Sequence, residues 1–507
     1  MTRDPDGSAE VVEIERKFDV GEADQLPSFA GLPGVAGVDD PVEYRLDAVY
    51  FDTPDLALSA RHLTLRRRTG GSDAGWHLKT PVRADARREF QEPLGDDPEK
   101  VPEQLMRLVR VYVRDRPLAP AVRLRTRRLV YRLHDSHGAV LAEVSDDRVH
   151  ADRLVSGPSR SSWREWEIEL VGGDRPLLDA AQSALEAQGV RLSGSVSKLA
   201  RALGDRLPAA LPPEVQDGRK GSAGWVLLSY LGDQARMLWQ QDPLVRQDEP
   251  DALHRMRVAT RRIRSALKSY GTLLDPETAQ RLRSELGSLA GILGAARDSQ
   301  MLRQRLRDRI ANEPAVEPVS SQIDEQLGAD YAAARIDVLE ALDGDRYFRL
   351  LDALDTLLTA PPLTETALEP AVEIVPELLG REWKRLRKAV KAAKKTAEGD
   401  NRDVALHKAR KAAKRVRYAA ESAALLYGKP ALRLAAAAEE LQTILGDHQD
   451  SVVARRLLQD WGANPQSHDE GPLSYDRLDA IERKTAADSE ARFFRAWSVA
   501  RGPSHKL

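Results

Sequence analysis

The sequence contains no cysteine, and only 5% of its residues are aromatic. Without cysteine the chain forms no disulfide, no thiolate metal site and no cysteine nucleophile, and a reducing compartment is permitted. No apolar run approaches the roughly eighteen residues of a membrane span. Residues 1–7 are polar and lack the apolar core of a signal peptide. These absences predict a cytoplasmic protein with no membrane partner.

The chain also lacks an excess of charge of either sign. It carries 77 Lys and Arg against 79 Asp and Glu, for a net charge of −2. That balance gives no global indication of a nucleic-acid binder, so any basic surface must be segregated. With 42% hydrophobic residues over 507 positions, the chain has enough apolar material for more than one folded core.

The first part of the chain reads as short alternating segments of strand length. Eight such segments are predicted, at 11–19, 44–52, 62–69, 76–80, 87–94, 122–133, 139–147 and 164–170. Helical patterns occur near 102–113 and 176–187. We therefore predict an α+β domain over 10–204, with about eight antiparallel strands and flanking helices.

The rest of the chain changes class abruptly. A Leu-Pro-rich segment at 207–213 interrupts the strand pattern, and beyond residue 221 the sequence is rich in Ala, Leu and Arg with helical periodicity. Residues 253–264 recur as 406–417, and 292–299 recur in the same order as 444–451. This predicts a linker over 205–222 and an all-α domain over 223–500 built as two pseudo-symmetric helical bundles.

Each repeat carries a row of basic residues on one helical face. We call these rows the basic stripes: His254, Arg257, Arg261, Arg264 and Lys268 in the first half, and His407, Arg410, Lys414 and Arg417 in the second. Like charges one turn apart destabilise a helix by a few tenths of a kcal/mol per pair, and a bound polyanion would remove that cost. The alternative is a solvated face paired with acidic neighbours such as Asp251 or Glu421. Recurrence at the same spacing favours the polyanion.

A glycine motif follows each stripe. Gly294 and Gly446 each stand four residues before an aspartate, Asp298 and Asp450. This pattern is typical of a helix end or a kink with a cap. We accordingly predict a break in helical structure at both glycines.

Charged residues alternate along the predicted strands. Glu13, Glu15 and Lys17 share one face of the first strand, and later strands carry separate acidic and basic sets. A solvent-facing antiparallel sheet would show similar alternation. If the strands instead close into a barrel with the charges inside, carboxylates line one wall and cations the other. Such a tunnel suits a metal–phosphate complex.

The helical half resembles the CHAD family, the conserved-histidine alpha-helical domain. Both of its H-x-x-R-x-x-x-[RK]-x-x-R repeats are present, over about 280 residues. The resemblance implies binding of inorganic polyphosphate by the eight stripe residues that match these repeats, and the stripe itself adds Lys268 to the predicted binding residues. Where the first half has Lys268, the second has Glu421. This departure implies a less basic surface at that end.

The N-terminal half resembles the CYTH family of triphosphate tunnel enzymes over about residues 10–204. The resemblance rests on an ordered set of motifs: Glu13-x-Glu15-x-Lys17, Tyr50-Phe51-Asp52-Thr53, Leu65-Arg66-Arg67-Arg68, Glu165-x-Glu167-x-Glu169 and Ser197-Lys198. It implies an eight-stranded tunnel that hydrolyses or cyclises triphosphate compounds with a divalent metal, Mg²⁺ or Mn²⁺.

The same resemblance implies roles for individual residues. The implied metal ligands are Glu13, Glu15, Asp147, Glu167 and Glu169. The implied triphosphate-binding residues are Lys17, Arg66, Arg68, Lys79, Arg125, Arg127 and Lys198. The implied catalytic residues are Glu15, as a base, and Lys17, which would orient the attacking water. The family register near 87–89 is not fixed by the sequence, so no role is assigned there.

Two classes of function remain open at this stage. The first is a metal-dependent triphosphatase, acting on inorganic triphosphate or a related compound, joined to a polyphosphate-binding domain and so directed to polyphosphate granules. The second is a non-catalytic polyphosphate-binding or targeting protein. Nucleic acid is a weaker candidate because aromatic stacking residues are few, and only Tyr418 adjoins a stripe.

Overall fold

The chain divides into two compact units, Met1–Leu211 and Pro212–Leu507. The computed structural model describes residues 2–3, 9–71, 73–83, 86–97, 99–155, 157, 159–210, 220–313, 319–463 and 472–500. The division between the units falls inside the predicted linker, and the first helix of the second unit begins at Ala223. We call the two parts the N-terminal unit and the helical unit.

The N-terminal unit is built from antiparallel strands with three α-helices among its described residues. In chain order the elements are β1 (Thr2–Arg3), β2 (Ala9–Val20), β3 (Gly37–Val38), β4 (Val42–Asp52), β5 (Thr64–Thr69), β6 (Gly75–Arg83), β7 (Ala86–Glu92), α1 (Glu103–Val113), β8 (Ala119–His134), β9 (Val140–Arg153), β10 (Ser159–Leu170), α2 (Arg175–Glu186), β11 (Arg191–Leu192) and α3 (Lys198–Leu203).

Eight of these strands close into a barrel. The order around it is β2, β10, β9, β8, β4, β5, β6 and β7, and β7 pairs with β2 to complete the ring. The short strands β1 and β11 add to β2, and β3 adds to β8. The predicted fold class of this half is confirmed, and each predicted strand corresponds to one strand of the barrel.

The two faces of each strand differ in polarity. Phe18, Trp166 and Ile168 point away from the charged face and are buried against α2 with Leu178 and Leu185. A second apolar cluster covers β5 and β6 with α1. Because the helices cover the outer apolar face, the charged alternate residues face the barrel interior.

Helix α3 covers one end of the barrel. Its Leu199 and Leu203 are buried with Val122, Leu124 and Val149. The last three residues belong to the same face of β8 and β9 that carries charged residues farther along these strands. The interior is therefore apolar at this end and charged beyond it.

The helical unit contains nine α-helices among its described residues. They are α4 (Ala223–Arg246), α5 (Ala252–Ser269), α6 (Pro276–Ala311), α7 (Ser320–Asp343), α8 (Asp345–Thr359), α9 (Ala371–Lys395), α10 (Asp400–Tyr427), α11 (Lys429–Gly462) and α12 (Pro472–Ala500). Helices α4–α7 and α9–α12 form two four-helix repeats in which consecutive helices pack together, and α8 lies between them in the chain. The predicted all-α class is confirmed.

The helices that carry the basic stripes bury their other face. On α5, Met256, Ile263 and Leu267 are buried, on the face next to the basic stripe. On α10, Leu406 and alanines such as Ala413 enter the core between α9, α11 and α12. No helix in the described part of the chain combines the length and the apolar character needed to cross a bilayer.

Candidate functional site

A cavity of about 280 Å³ occupies the barrel interior. Most of its lining side chains are charged: Glu13, Glu15, Lys17, Arg66, Arg68, Asp73, Lys79, Arg87, Glu89, Arg128, Glu143, Glu167, Glu169 and Lys198. They come from seven of the eight barrel strands, from the loop before β6 and from the first residue of α3. The structure therefore brings together most of the residues that the CYTH resemblance selects.

Lys198 lies among three buried carboxylates. Ser197 caps the N-terminus of α3, and Lys198 follows as the first helical residue. The Lys198 Nζ is 2.9 Å from Asp147 Oδ2 and 2.6 Å from both Glu165 Oε1 and Glu167 Oε1. Burial favours the neutral amine, but the carboxylates outweigh it and raise the pKa of Lys198 above its ordinary value.

Arg128 forms a second bridge between the same carboxylates. Its Nε and Nη2 donate to the two oxygens of Asp147 at 2.7 and 2.6 Å, in the bidentate geometry that a guanidinium allows. Its Nη2 also donates to Glu167 Oε2 at 2.6 Å. Although burial opposes charge, Asp147 and Glu167 raise the pKa of Arg128 above its ordinary value. Arg128 thus neutralises the acidic wall from the β8 side.

Lys17 and Glu15 lie side by side on β2. Lys17 donates to Glu167 across the β2–β10 pairing, and its Nζ is 2.8 Å from Glu15 Oε2. Burial by itself would raise the pKa of Glu15, but Lys17 and Lys79 together outweigh it and the pKa falls to about 2. Glu15 is therefore ionised at neutral pH and is a weak base.

A further acid–base cluster surrounds Glu89 on β7. Lys79 donates to Glu13, and Glu89 Oε1 lies 3.7 Å from both Lys79 Nζ and Arg66 Nη2. His77 Nδ1 lies 2.9 Å from Glu89 Oε1. Burial would raise the pKa of Glu89, but Lys79 and His77 hold it far below its usual range. Burial, with Glu89 close by, raises the pKa of Glu13.

The basic wall of the tunnel is formed largely by β5. Arg66 Nη1 donates to Tyr50 Oη at 3.4 Å, and Arg68 pairs with Asp73. Burial, together with the positive charges of Arg66 and Arg128, lowers the pKa of Arg68 to about 9. An anion in the cavity would relieve this mutual repulsion.

The structure does not bring Arg125 and Arg127 to the tunnel, which corrects the prediction for both. Each side chain is 53% exposed on the outer face of β8; Arg125 Nη1 is 3.1 Å from Asp152 Oδ2, and Arg127 Nη2 is 2.7 Å from Glu43 Oε2. The inward position on this part of the strand belongs instead to Arg128. The error is one residue of register, which reverses the face of a strand residue.

Three residues to which the sequence analysis assigns no role belong to this site: Arg128, Glu89 and Glu165. Glu165 was visible in the Glu-x-Glu-x-Glu motif, and Glu89 lies in the segment whose register the sequence left open. Arg128 had no distinguishing signal, because β8 carries basic residues on both faces. All three are linked by ion pairs or hydrogen bonds to residues of the predicted site.

One group of carboxylates in the described part of the chain is compact enough to hold a metal ion. Oxygen atoms of Asp147, Glu165 and Glu167 lie within 4.8 Å of one another. This donor set fits a hard divalent cation. Of the predicted ligands, Asp147 and Glu167 belong to this group, whereas Glu13, Glu15 and Glu169 line the cavity without belonging to the group.

In the helical unit, cations from both basic stripes surround Lys414. Burial and the charges of Arg261, Arg410 and Arg257 together lower the pKa of Lys414 to about 6, and Asp450 opposes them only weakly. Two of these arginines lie on α5 and the third on α10. The two stripes therefore converge on one cationic cluster.

The prediction of helix breaks at Gly294 and Gly446 is wrong. Both glycines lie in the interior of long helices, α6 and α11. A Cβ atom at Gly446 would lie 3.3 Å from Arg410 Nη2, and one at Gly294 would lie 3.6 Å from Arg257 Nη2. The glycines provide the space in which the stripe arginines lie against the neighbouring helix.

Tyr418 and Glu421 organise the arginines at one end of the stripes. Arg261 Nε donates to Tyr418 Oη at 2.7 Å, and the guanidinium carbons of Arg261, Arg262 and Arg417 lie 5.6 to 5.7 Å from its ring centroid. Glu421 accepts from Arg417 Nε at 2.8 Å and lies 3.0 Å from Arg262 Nη2. Glu421 thus partly neutralises Arg417. This agrees with the less basic surface expected where Glu421 replaces the counterpart of Lys268.

The remaining stripe residues are more accessible. His254, Arg264 and Lys268 are exposed, and His407 is half-buried. Burial, assisted by Arg297, lowers the pKa of His254, and burial with Lys411 lowers that of His407. Both imidazoles are therefore mainly neutral near pH 7 until an anion approaches them.

Comparison with known proteins agrees with the two units. The model of the CYTH domain matches residues 12–203, and the model of the CHAD domain matches residues 229–459. Two uncharacterized proteins of Mycobacterium tuberculosis, from strains CDC 1551 / Oshkosh and ATCC 25618 / H37Rv, are each 40% identical over 468 residues. Each alignment covers 88% of this chain and 88% of the relative.

Solved structures resemble one unit or the other. PptA from Streptomyces chartreusis is 22% identical, covers 55% of this chain and 99% of its own, and has a TM-score of 0.47. The CHAD domain of the plant Ricinus communis is 27% identical, covers 54% and 91%, and has a TM-score of 0.44. A putative adenylyl cyclase from Hippeastrum, described as having a dominant triphosphatase activity, is 18% identical, covers 40% and 99%, and has a TM-score of 0.25. With matches to the CYTH and CHAD domain models, and with relatives of 40% identity covered over 88% of their length, this chain belongs to the family in which an N-terminal CYTH domain is fused to a C-terminal CHAD domain.

Proposed function

We propose that the N-terminal unit hydrolyses a triphosphate compound, inorganic triphosphate foremost, with Mg²⁺ or Mn²⁺, and that the helical unit binds inorganic polyphosphate. The proposed hydrolysis rests on one observation: the cations and the carboxylates that line the tunnel neutralise each other. Lys17, Lys79 and Lys198 pair with Glu15, Glu13 and Glu167 respectively, three carboxylates that line the same cavity. Both signs of charge are therefore concentrated in one enclosed site.

A metal–triphosphate complex carries the matching charges. Its cation would take the place of the lysines on Asp147, Glu165 and Glu167, while its phosphate oxygens would take the place of the carboxylates on the cations. A free metal ion or a free triphosphate would satisfy only one wall and leave the other unpaired in a buried site. The arrangement therefore favours the complex over either component.

The residues of the chain would act mainly by positioning. Arg66, Arg68 and Lys79, which line the cavity, would hold phosphate oxygens, and Lys17 would orient a water molecule beside them. Since a carboxylate with a pKa of about 2 is a weak base, Glu15 contributes charge and orientation more than proton abstraction. The metal ion, when bound, supplies neutralisation of phosphate charge. Phosphoryl transfer needs little more than these two effects.

The proposed activity is tested by release of orthophosphate from inorganic triphosphate. We expect release by the purified chain with Mg²⁺ or Mn²⁺ and none in excess chelator, with activity restored when the metal is returned. Nucleoside triphosphates and thiamine triphosphate serve as comparison substrates, because no residue of the site is identified as reading a base or a thiazole ring. Absence of release from every compound under all metal conditions would favour the alternative, a non-catalytic polyphosphate-binding protein.

Polyphosphate binding by the helical unit is supported by the cluster around Lys414. Burial, together with the positive charges of Arg261, Arg410 and Arg257, lowers the pKa of Lys414 to about 6, so these cations repel one another and the lysine. Within a folded unit such repulsion is a cost, which a linear polyanion on the converged stripes would turn into attraction. Polyphosphate also makes no use of aromatic stacking, of which this surface offers little.

The glycine at 446 provides a prediction for this surface. Gly446→Ala is expected to raise the thermal stability of the chain, since alanine favours a helix interior by up to about 1 kcal/mol over glycine. The same change is expected to weaken polyphosphate binding by about threefold, because the added methyl group displaces the Arg410 guanidinium. Calorimetric titration and thermal unfolding measure the two effects.

Gly291→Ala is the matched control. Gly291 also lies inside a long helix, α6, but a Cβ atom there meets nothing within 4 Å. We expect a comparable gain in stability with unchanged binding. Equal affinities for the two variants would show that the position of Arg410 does not matter for the ligand.

A further inference from the structure

A second basic surface lies on α9, outside the basic stripes. Between 381 and 395 this helix carries eight exposed cations: Arg381, Lys384, Arg385, Arg387, Lys388, Lys391, Lys394 and Lys395. The acidic residue of this stretch, Glu382, is 1% exposed and faces the core. The solvent face of the second half of α9 is therefore wholly cationic, and we call it the α9 face.

Most of the α9 face lacks acidic partners. Lys384, Arg387, Lys388, Lys391 and Lys395 make no ion pair with any described residue. Their spacing of three and four residues places like charges one turn apart, which destabilises a helix by a few tenths of a kcal/mol per pair. The helix dipole compensates cations in the last turn only, such as Lys394 and Lys395. For Lys384, Arg387 and Lys388, in the middle of the helix, that compensation is absent.

Glu382 links the α9 face to the end of the α5 stripe. It accepts from Arg415 Nε on α10 at 3.0 Å and from Ser269 Oγ on α5 at 3.4 Å, and it pairs with Arg385 on α9. Ser269 directly follows Lys268, the last residue of the α5 stripe. Arg415 and Arg385 are also among the charges that act on Lys268. Arg385 is thus the member of the α9 face that lies near Lys268.

We propose that the α9 face is a second binding surface for inorganic polyphosphate, which continues the track of the basic stripes beyond Lys268. The proposal rests on the proposed polyphosphate binding by the helical unit. From Lys384 to Lys395 the face is about 16 Å long at about 1.5 Å per residue, so it serves only chains that extend past the stripes. It makes the affinity of the unit depend on polymer length.

The composition of the face selects this ligand over other polyanions. Its exposed residues are Lys and Arg separated by small residues such as Ala392, with no exposed aromatic residue for base stacking or for insertion into a bilayer. Trp383, on the other side of the helix, packs against Trp497. A flexible, densely charged chain needs only a line of cations, and the α9 face supplies one.

The test compares two polyphosphates, one short enough to be held by the stripes alone and one several times longer. The variant is Lys388→Gln/Lys391→Gln/Lys395→Gln, which keeps good helix formers at exposed positions. We expect it to bind the short polymer like the wild type and the long polymer about tenfold more weakly, with a shallower dependence of affinity on salt. A matched control, Arg477→Gln/Arg483→Gln/Lys484→Gln on α12, removes the same charge and is expected to leave both affinities unchanged.

The outcomes distinguish failure of the α9 proposal from failure of the proposed polyphosphate binding by the helical unit. If the α9 variant binds the long polymer like the wild type, while Arg257→Gln/Arg261→Gln/Arg410→Gln loses both polymers, the α9 face is a solvated surface and the stripes alone bind. If the wild type binds neither polymer, polyphosphate binding itself is refuted. Stronger binding of the α9 face to duplex DNA than to long polyphosphate would assign it to nucleic acid instead.

Discussion

Arg128→Gln is expected to lower the rate of triphosphate hydrolysis by about 10²–10³-fold, the range for loss of one preorganised charged donor in a phosphoryl-transfer site. Like Lys198, Arg128 joins Asp147 to Glu167, and it does so through three hydrogen bonds of 2.6 to 2.7 Å. Glutamine keeps much of the length but loses the charge and the bidentate fork. The acidic wall then keeps Lys198 and Lys17 as its counter-ions, and the cavity loses one cation for phosphate.

The neighbouring residue supplies the control. Arg127→Gln removes the same group one position earlier in β8, on the outer face of the barrel where Arg127 pairs with Glu43. We expect hydrolysis within about twofold of the wild type, because exposed ion pairs contribute little. Arg128→Lys, which keeps the charge without the fork, is expected to fall between wild type and Arg128→Gln. Circular dichroism confirms folding, and equal losses in Arg127→Gln and Arg128→Gln would contradict the inward assignment of Arg128.

This pair of arginines also marks where prediction from sequence stopped. Strand alternation was enough for the barrel, since Phe18 and Trp166 on one face and Glu15 and Glu167 on the other leave no ambiguity about β2 and β10. On β8 the interior face begins with apolar Val122 and Leu124, because α3 covers that end of the barrel. If the apolar residues of β8 are assumed to face outward, Arg125 and Arg127 are assigned to the interior in place of Arg128. Only the position of α3 resolves the choice, and α3 is a six-residue helix without periodic signal.

The helical half was predictable for a different reason. Duplication repeats the stripe and the glycine at matching positions, so that helix class, helix faces and the converging cations follow from comparing 253–264 with 406–417. The position of the glycines did not follow. Read alone, Gly446 indicates a helix end, but its lack of a side chain serves Arg410 on another helix. The role of Gly446, which leaves room for the Arg410 side chain, can be recognised only when the position of Arg410 is known.

Polyphosphate affinity is expected to fall about 50-fold between pH 6 and 8, with a slope that approaches tenfold per pH unit well above pH 6. The reason is Lys414, whose pKa is lowered to about 6 by burial and by the surrounding arginines. Phosphate oxygens would bind the ammonium form and raise the pKa again, so above pH 6 each binding event takes up a proton. Below pH 6 the lysine is already charged and its contribution to the slope vanishes. Affinity measured by calorimetry in buffers of different ionisation enthalpy gives both the slope and the number of protons.

Lys414→Arg separates this lysine from the histidines, because arginine stays charged throughout the range. We expect its affinity to fall less steeply between pH 6.5 and 8 than that of the wild type, and the slope that remains belongs to His254 and His407, whose lowered pKa values an anion would raise. Stability of the free chain should move in the opposite sense. The unfolded lysine keeps its ordinary pKa, so the unfolded state binds more protons between pH 6 and about 10 and stability rises with pH through that window. If the affinity of the wild type showed the same pH dependence as that of Lys414→Arg, Lys414 would already be protonated in the free protein. The surrounding arginines would then not lower its pKa.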